Sequence, residues 1–388
     1  MQNFFKKTLP FLTLFSLALG SLNGQTRDSD STQLQMDTTP VVKKLEAINK
    51  ISGPNSDIEA VAISPTGKIL AAGGWDKNVY IYSLELENFG EVLHTFKYHS
   101  SAILSLSFDV RGQNLVCGSN DHSLTTWNVD SALNTGSKSQ DFAINTVIHG
   151  PSAKYIYSCS KEGMIKLWDM KDPKRTRSVD LKQKTNSFRL SKDRKFIYAA
   201  GASNTITKYN LKGVEVGALE GHSAFINEIS LSPNGSLMAS ASDDKTVVVW
   251  ELLKLKQKIV LEGHTAKVNA VAFTSDNKYI ISGDRSGEVI IWEIETGDII
   301  KRIPGLGRSI RNISISRYMD YIAVASYENT GDAHVVYYCS TGIVNIALDK
   351  KRQAAERKEN AKRKQKEREE NYDNEDIEDI LNETQDQF

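Results

Sequence analysis

Histidine, aspartate and tryptophan recur in this chain at a fixed spacing. His99, His222 and His264 each precede a tryptophan by 28 residues. Histidine paired with a carboxylate can transfer protons or hold a metal. The four other histidines show no metal-binding spacing, and the sequence has no nucleophile elbow, phosphate loop, His-Glu-x-x-His helix or calcium loop. The sequence therefore predicts no enzyme activity, no metal and no cofactor.

The elements that carry these residues form a repeat. Residues 226–255 and 268–297 both read as an apolar strand, a polar turn, a second strand, a second turn and a strand that ends in tryptophan. Aromatic residues mark the end of seven such units at separations of 45, 41, 41, 41, 42 and 45 residues: Tyr82, Trp127, Trp168, Tyr209, Trp250, Trp292 and Tyr337.

This pattern resembles the WD-repeat family, whose period is about 40–45 residues. The resemblance covers residues 43–349 and implies an all-β fold, a seven-bladed β-propeller of four-stranded antiparallel blades. Both Lys44–Ile51 and Gly342–Leu348 read as the outermost strand of the last blade, and only one of them can occupy that place. In the family an N-terminal strand often closes the ring.

The resemblance also implies a structural task for the recurring residues. In the family, a His, a turn Asp and a Trp form a hydrogen-bonded set inside each blade, because a buried indole N–H and a buried imidazole both need partners. Two sets are complete, and three are partial because Ser286, Gln140 or Tyr82 replaces a member. The members are His99, Asp121 and Trp127; His222, Asp244 and Trp250; His264, Ser286 and Trp292; Gln140, Glu162 and Trp168; and Asp76 and Tyr82.

The two ends of the chain differ in composition from the repeats. Lys6 and Lys7 precede an apolar run from Leu9 to Leu19, which predicts a signal peptide over residues 1–24 and an exported protein, periplasmic or secreted. An uncleaved membrane anchor is the alternative. Residues 25–42 are polar and predict a disordered lead-in. Residues 350–388 form a charged tail, first basic and helix-prone and then acidic, which is either a solubilising segment or a segment that docks on a partner.

Charge and cysteine content argue against a general nucleic-acid binder and against a disulfide-rich protein. The 388 residues carry 48 Lys+Arg and 48 Asp+Glu, so net charge gives no general attraction to nucleic acid. Cys117, Cys159 and Cys339 are too few for a disulfide framework, although one pair could close. One local exception is residues 171–195, with ten basic and three acidic residues. This run is either a solvated edge or a patch for an acidic partner or anionic lipid.

Aligning the repeats identifies a candidate binding rim. In the family, the start of the innermost strand and the turn between the second and third strands open on the usual partner-binding face. At the innermost position the repeats carry Glu59, Leu104, Asn145, Asn186, Asn227, Asn269 and Arg311. Beside them, at the same rim, the repeats carry Trp75, Phe225, Lys267 and Arg285. Amides pair with peptide groups, hydroxyls or water, and Trp and Arg often dominate binding energy.

These observations predict a non-catalytic scaffold, a monomer, that binds a protein partner through this rim. The alternative is a small-ligand sensor that takes a sugar or peptide at the Asn-lined mouth. A third hypothesis, an enzyme whose site is assembled from scattered residues, has no linear motif to support it. Because the family's members are mostly intracellular, the signal peptide is a departure from its pattern.

Overall fold

The computed structural model describes residues 46–52, 56–150, 154–317, 321–327 and 334–339. All of the described residues belong to one compact unit of the chain. The predicted signal peptide, the disordered lead-in and the charged tail lie outside the described residues. The side chains of 46–52 and 334–339 lie outside them too.

Short strands follow one another along the whole described chain. Their bounds in blades 1 to 3 are β2 Ile58–Ile63, β3 Ile69–Gly74, β4 Asn78–Ser83 and β5 Val92–Lys97; β6 Ile103–Phe108, β7 Asn114–Ser119, β8 Ser123–Asn128 and β9 Leu133–Ser139; β10 Ile144–His149, β11 Tyr155–Ser160, β12 Met164–Asp169 and β13 Arg177–Asp180. Single 3-10 turns lie at Leu86–Asn88 and Pro173–Arg175.

Blades 4 to 6 repeat the arrangement. Their strands are β14 Thr185–Leu190, β15 Phe196–Gly201, β16 Ile206–Asn210 and β17 Glu215–Leu219; β18 Ile226–Leu231, β19 Leu237–Ser242, β20 Thr246–Glu251 and β21 Lys256–Glu262; β22 Val268–Phe273, β23 Tyr279–Asp284, β24 Val289–Glu293 and β25 Ile299–Ile303. Each blade is a four-stranded sheet in which neighbouring strands are antiparallel and consecutive in sequence.

The remaining sheet is built differently. It joins β26 Ser309–Ile315, β27 Tyr321–Tyr327 and β28 His334–Cys339 to β1 Glu46–Ser52, which comes from the other end of the described chain and pairs antiparallel with β28. The predicted count of seven blades is therefore corrected to six blades of consecutive strands and one composite sheet. Of the two candidate closing strands, the N-terminal one takes the outer place, while Gly342–Leu348 lies outside the described residues.

The innermost strands contact one another in the order β2, β6, β10, β14, β18, β22 and β26, and β26 contacts β2, which closes a ring. Apolar side chains between neighbouring sheets form the core. Trp292, for example, packs in a buried cluster with Ala239 and Val249 of the preceding blade. No sheet could bury both of its faces alone, so each depends on its neighbours.

The antiparallel order gives the ring two distinct faces. The turns between second and third strands and the loops that lead into the innermost strands lie on one face, which we call the mouth face. The turns between first and second strands and between third and fourth strands lie on the opposite, reverse face. Cys117 and Cys159 are buried free thiols, and Cys339 has no described side chain.

Candidate protein-interaction surface

Hydroxyl groups complete the hydrogen-bonded sets inside the blades. In blade 5, Trp250 donates its indole N–H to Ser240 Oγ at 2.8 Å, and Ser240 Oγ lies 2.6 Å from His222 Nε2. His222 Nδ1 lies 2.7 Å from Asp244. All four groups are satisfied when the imidazole carries its proton on Nδ1: indole to hydroxyl, hydroxyl to imidazole, imidazole to carboxylate. The predicted set is present, with Ser240 as an additional member that was not predicted.

Blade 6 has the same chain of hydrogen bonds with a different acid. Trp292 donates to Ser282 Oγ at 2.7 Å, Ser282 contacts His264 Nε2 at 2.7 Å, and His264 Nδ1 lies 2.8 Å from Asp284. The set predicted to be incomplete because of Ser286 is complete, since Asp284 at the end of β23 supplies the carboxylate. Ser286 instead donates its N–H and its hydroxyl to Asp284.

A serine hydroxyl is present in three of the blades that have a tryptophan. Ser158, Ser240 and Ser282 stand ten residues before Trp168, Trp250 and Trp292 and accept from their indole N–H groups. In blade 2 that position is Cys117, and Thr125 of β8 bridges Trp127 and His99 instead, while Asp121 lies on the other side of the imidazole. Where the anchor is Tyr82 or Tyr209, the position is alanine. In blade 3, Gln140 replaces histidine and accepts from Ser158.

One of these sets has the composition of a metal site. His264, Asp284 and Glu288 bring one ligand atom each within 4.8 Å of one another. Those atoms are already hydrogen-bonded. Both carboxylate oxygens of Glu288 accept from Arg302 Nη1 at 3.0 Å, and Asp284 accepts from His264 and Ser286. Hydrogen bonds therefore account for the cluster without an ion.

The asparagines of the predicted ring bridge neighbouring sheets. Asn145 donates to Thr185 O at 2.8 Å, and Asn186 donates to Ile226 O at 3.0 Å. Asn227 and Asn269 continue the series by donating to Val268 O at 2.8 Å and to Ile310 O at 2.9 Å. Each amide thus donates to a main-chain carbonyl of the next innermost strand. The amide nitrogens that the small-ligand hypothesis places at the mouth are thus already hydrogen-bonded within the ring.

We expect a carboxylate in place of one such amide to weaken the ring. Asn186→Asp replaces the donor that faces Ile226 O with a carboxylate, which leaves a part-buried carbonyl without its partner. Unfolding free energy should fall by about 2 kcal/mol, measured from urea denaturation curves. Asn120→Asp is the matched control, because Asn120 is exposed on the same face and its side-chain amide donates to the rotatable Ser101 hydroxyl instead of to a main-chain carbonyl. Equal losses in the two variants would contradict the bridging role.

The mouth continues at the junction of the composite sheet with blade 1. Glu59 accepts from Arg311 Nε at 2.9 Å, from the indole N–H of Trp75 at 2.9 Å and from the Tyr327 hydroxyl. The Arg311 guanidinium also lies 5.0 Å from the Tyr327 ring centroid. Burial alone would lower the pKa of Arg311, but the Glu59 carboxylate raises it. Burial and Glu59 together raise the pKa of Tyr327 to about 12.

A second polar cluster joins blades 5 and 6 at the rim. Asp243 accepts from Asn227 at 2.8 Å, from Lys267 at 2.5 Å and from Arg285 at 3.4 Å. Arg285 also donates from Nε to Asn269 at 3.0 Å. Burial alone would raise the pKa of Asp243, but the bonds from Asn227 and Lys267 and the two positive charges lower it. Two cations thus share one carboxylate.

Two aromatic side chains stand exposed beside these clusters. Trp75 is 55% exposed and Phe225 is 53% exposed. The same main-chain bond occurs at the rim of both blades, but the aromatics lie on opposite sides of it: Trp75 N–H donates to Asp57 O in blade 1, and Phe225 O accepts from Asp243 N–H in blade 5. The structure therefore brings the predicted rim residues into two groups, one with Trp75, Glu59 and Arg311 and another with Phe225, Lys267 and Arg285. Leu104 has no polar role there.

A ring of four-stranded antiparallel sheets around a common axis defines a β-propeller. The family model for the WD domain, G-beta repeat matches residues 45–83, 90–128, 133–169, 213–251 and 255–293. The chain belongs to the WD-repeat family, as the repeat pattern indicated.

Known relatives extend the comparison. The transcriptional corepressor LEUNIG_HOMOLOG of Arabidopsis thaliana is 26% identical over 60% of this chain and 29% of its own length. Histone acetyltransferase type B subunit 2 of Candida glabrata is 22% identical over 56% of this chain and 55% of its own length. The target of rapamycin complex subunit wat1 of Schizosaccharomyces pombe is 21% identical over 52% of this chain and 66% of its own length. The chain thus matches less than two thirds of the length of each relative, and two of the three are named as subunits of larger assemblies.

The predicted localisation needs correction. The relatives are named for transcription, histone acetylation and the target of rapamycin complex, which point away from export. The expectation of a periplasmic or secreted protein is therefore overturned, and the apolar segment on which it rested lies outside the described residues. The helical segments among the described residues are single short turns, and none has the length and hydropathy of a membrane-spanning helix.

Proposed function

We propose that this chain is a non-catalytic scaffold that binds a protein partner across its mouth face. The observation that carries the proposal is Trp75, whose side chain is more than half exposed but held by hydrogen bonds to Glu59 at 2.9 Å and to Tyr327 at 3.3 Å. An exposed indole with a fixed orientation offers a large apolar surface that loses little side-chain entropy on binding. Tryptophan is also among the residue types that most often dominate interface energy.

The second aromatic supplies a separate contact. Phe225 lies beside the cluster of Asp243, Lys267 and Arg285, in which the two cations share one acid. A partner carboxylate could bind one of these cations while a partner side chain packs on Phe225, so this part of the rim would select its partner by charge and shape. Glu59, Arg311 and the four asparagines would hold the rim in place beneath these contacts.

The relatives support the same reading. A transcriptional corepressor and two complex subunits act, by their names, together with other proteins. The hydrogen bonds of the His–Asp sets support a non-catalytic role, because each imidazole is engaged on both nitrogens inside a blade. The rigid ring would fix the loops, and the loop side chains would choose the partner.

We expect Trp75→Ala to remove the partner from crosslinked pull-downs made in extracts of cells that produce this protein. Capture should fall by about tenfold or more, as expected for loss of a hot-spot residue worth about 2 kcal/mol. Leu253→Ala is the matched control, since Leu253 is 95% exposed but lies in the turn after β20, on the reverse face. Quantitative mass spectrometry compares the proteins that each variant captures.

Two further variants sharpen the result. Phe225→Ala tests the second contact, and Trp75→Phe keeps an aromatic ring but removes the hydrogen bond to Glu59. A partner lost with Trp75→Ala and retained with Leu253→Ala supports binding at the mouth face. If every protein captured by the unmodified chain is captured equally by Trp75→Ala and Phe225→Ala, the mouth face is not the binding surface.

A further inference from the structure

The reverse face of blades 3 and 4 carries a concentrated positive charge. The described loops there, residues 170–176, 191–195 and 211–214, together with the adjacent Lys154, contain eight basic and two acidic residues. Six of the basic side chains are exposed: Lys171, Lys174, Arg175, Lys192, Lys195 and Lys212. We call these loops the basic surface. The basic surface contains most of the basic residues of the run 171–195. The proposed binding at the mouth face gives these residues no role.

The corresponding loops of the other blades are not basic. In blades 1, 2 and 6 the same loops hold more acidic than basic residues, and in blade 5 they hold a single lysine, Lys254. The positive charge is therefore a local property of two adjacent blades and not a general property of the reverse face. The nearby acids are outnumbered by these eight basic residues: Asp172 lies 3.6 Å from Arg175, the buried Asp169 lies 3.6 Å from Lys154, and Asp193 accepts from Ser191 and the N–H of Lys195.

The last described strand, β28, ends on this same face. Cys339, the last described residue, pairs with Tyr321, and Tyr321 begins β27 directly after the turn between the first and second strands of the composite sheet. The equivalent turn of blade 4 is Ser191–Phe196, which belongs to the basic surface. Residues 371–388 follow later and hold seven acidic and no basic residues. The 31 intervening residues, 340–370, could span about 100 Å when extended.

We propose that the acidic stretch 371–388 of this chain binds its own basic surface. Charge complementarity selects this occupant, and covalent linkage raises its effective concentration to about the millimolar range. Several exposed ion pairs, each weak by itself, would together hold the stretch in place at low salt. Because exposed charges are screened over about 10 Å at 0.1 M salt, the contact should loosen as ionic strength rises.

Lysine acylation of the full chain tests this contact. The tail variant Asp373→Asn, Glu375→Gln, Asp376→Asn, Glu378→Gln and Asp379→Asn leaves the ring unchanged. We expect it to raise the acylation rates of Lys171, Lys174 and Lys192 about threefold, the change that follows when two thirds of the chains are docked. Lys161, Lys182 and Lys184 are internal controls, because they are exposed in the same two blades but on the mouth face.

The outcomes separate the possible occupants. Higher rates at the basic surface alone, together with loss of the protection in high salt, support the proposal. Unchanged rates at the basic surface overturn it, as does a gain confined to the lysines of 350–370, which would show that the acidic stretch pairs with the basic part of the tail. Carbodiimide crosslinks between isotopically heavy and light chains would place a second copy on the surface and overturn binding within one chain. None of these results depends on a partner at the mouth face.

Discussion

We expect Asp284→Asn to lower the free energy of unfolding by about 3 kcal/mol. The carboxylate is completely buried and accepts hydrogen bonds from His264, from the hydroxyl and N–H of Ser286 and from the N–H of Glu288. An amide offers one oxygen in place of two and turns a donor toward at least one of these donors. Removing one partner of a buried, hydrogen-bonded charge typically costs about 3–5 kcal/mol, and the retained amide oxygen places this variant at the lower end.

The dependence on pH gives the same prediction a second readout. Burial alone would raise the pKa of Asp284, but the hydrogen bonds from His264 and Ser286 lower it to about 2. An acid whose pKa is lower in the folded state adds stability above its unfolded pKa and loses it as pH falls through the folded value. The unmodified chain should therefore lose about 2 kcal/mol from this group between about pH 5 and pH 2, and Asp284→Asn should not.

Asp298→Asn is the control for both measurements. Asp298 is exposed in the turn between β24 and β25 of the same blade, and its substitution should change unfolding free energy by less than about 0.5 kcal/mol. Urea denaturation at pH 7 and at pH 2 provides the comparison. If Asp284→Asn and Asp298→Asn are equally stable at pH 7, the carboxylate does not support blade 6 as the geometry indicates.

The repeat and its anchors could be predicted from sequence because they follow from spacing alone. The period, the strand order and the pairing of His222 with Asp244 depend on residues at fixed intervals. Asp284 escaped prediction because it lies two positions before the expected acid, and only the end of β23 brings it to His264. The serine ten residues before each of three tryptophans was visible as a pattern. The same position holds alanine where the anchor is a tyrosine. That difference would have indicated that the serine accepts the indole N–H.

The rim was harder to predict because its contacts cross between sheets. Repeated asparagine at one position indicated polar groups at the mouth, but the partner of Asn186 is the main-chain carbonyl of Ile226, which any residue could provide. Side-chain identity therefore could not separate a bridge between sheets from a ligand-binding amide. The same holds for closure: two segments had strand-like patterns, and only the pairing of β1 with β28 distinguishes them.

We expect the second large effect from Glu228, which joins three innermost strands. Its carboxylate accepts from Arg189 of β14 at 3.2 Å and from the N–H of Val271 of β22 at 3.1 Å. The side chain is only 14% exposed. Burial raises the pKa of Glu228 to about 7, although Arg189 and the Val271 N–H act in the opposite direction.

A raised pKa makes this acid a source of instability at high pH. The folded chain holds its proton up to about pH 7, whereas the unfolded chain releases it near pH 4.5, so stability falls as pH rises between these values. From pH 5 to pH 8 the unmodified chain should lose about 2 kcal/mol from this group. Glu228→Gln cannot ionise and keeps an oxygen for Val271, so its stability relative to the unmodified chain should improve by that amount.

Urea denaturation across pH 5–8 measures this difference, with the exposed Glu220→Gln as control. Parallel curves for the unmodified chain and Glu228→Gln would contradict a raised pKa at this site. Arg189→Met identifies the cause, because without the guanidinium burial acts unopposed and the pKa of Glu228 should rise further. The pH range over which stability falls should then extend upward. A range that stays in place would mean that Arg189 does not compensate the charge of Glu228, and that the bond to Val271 alone joins this carboxylate to its neighbours.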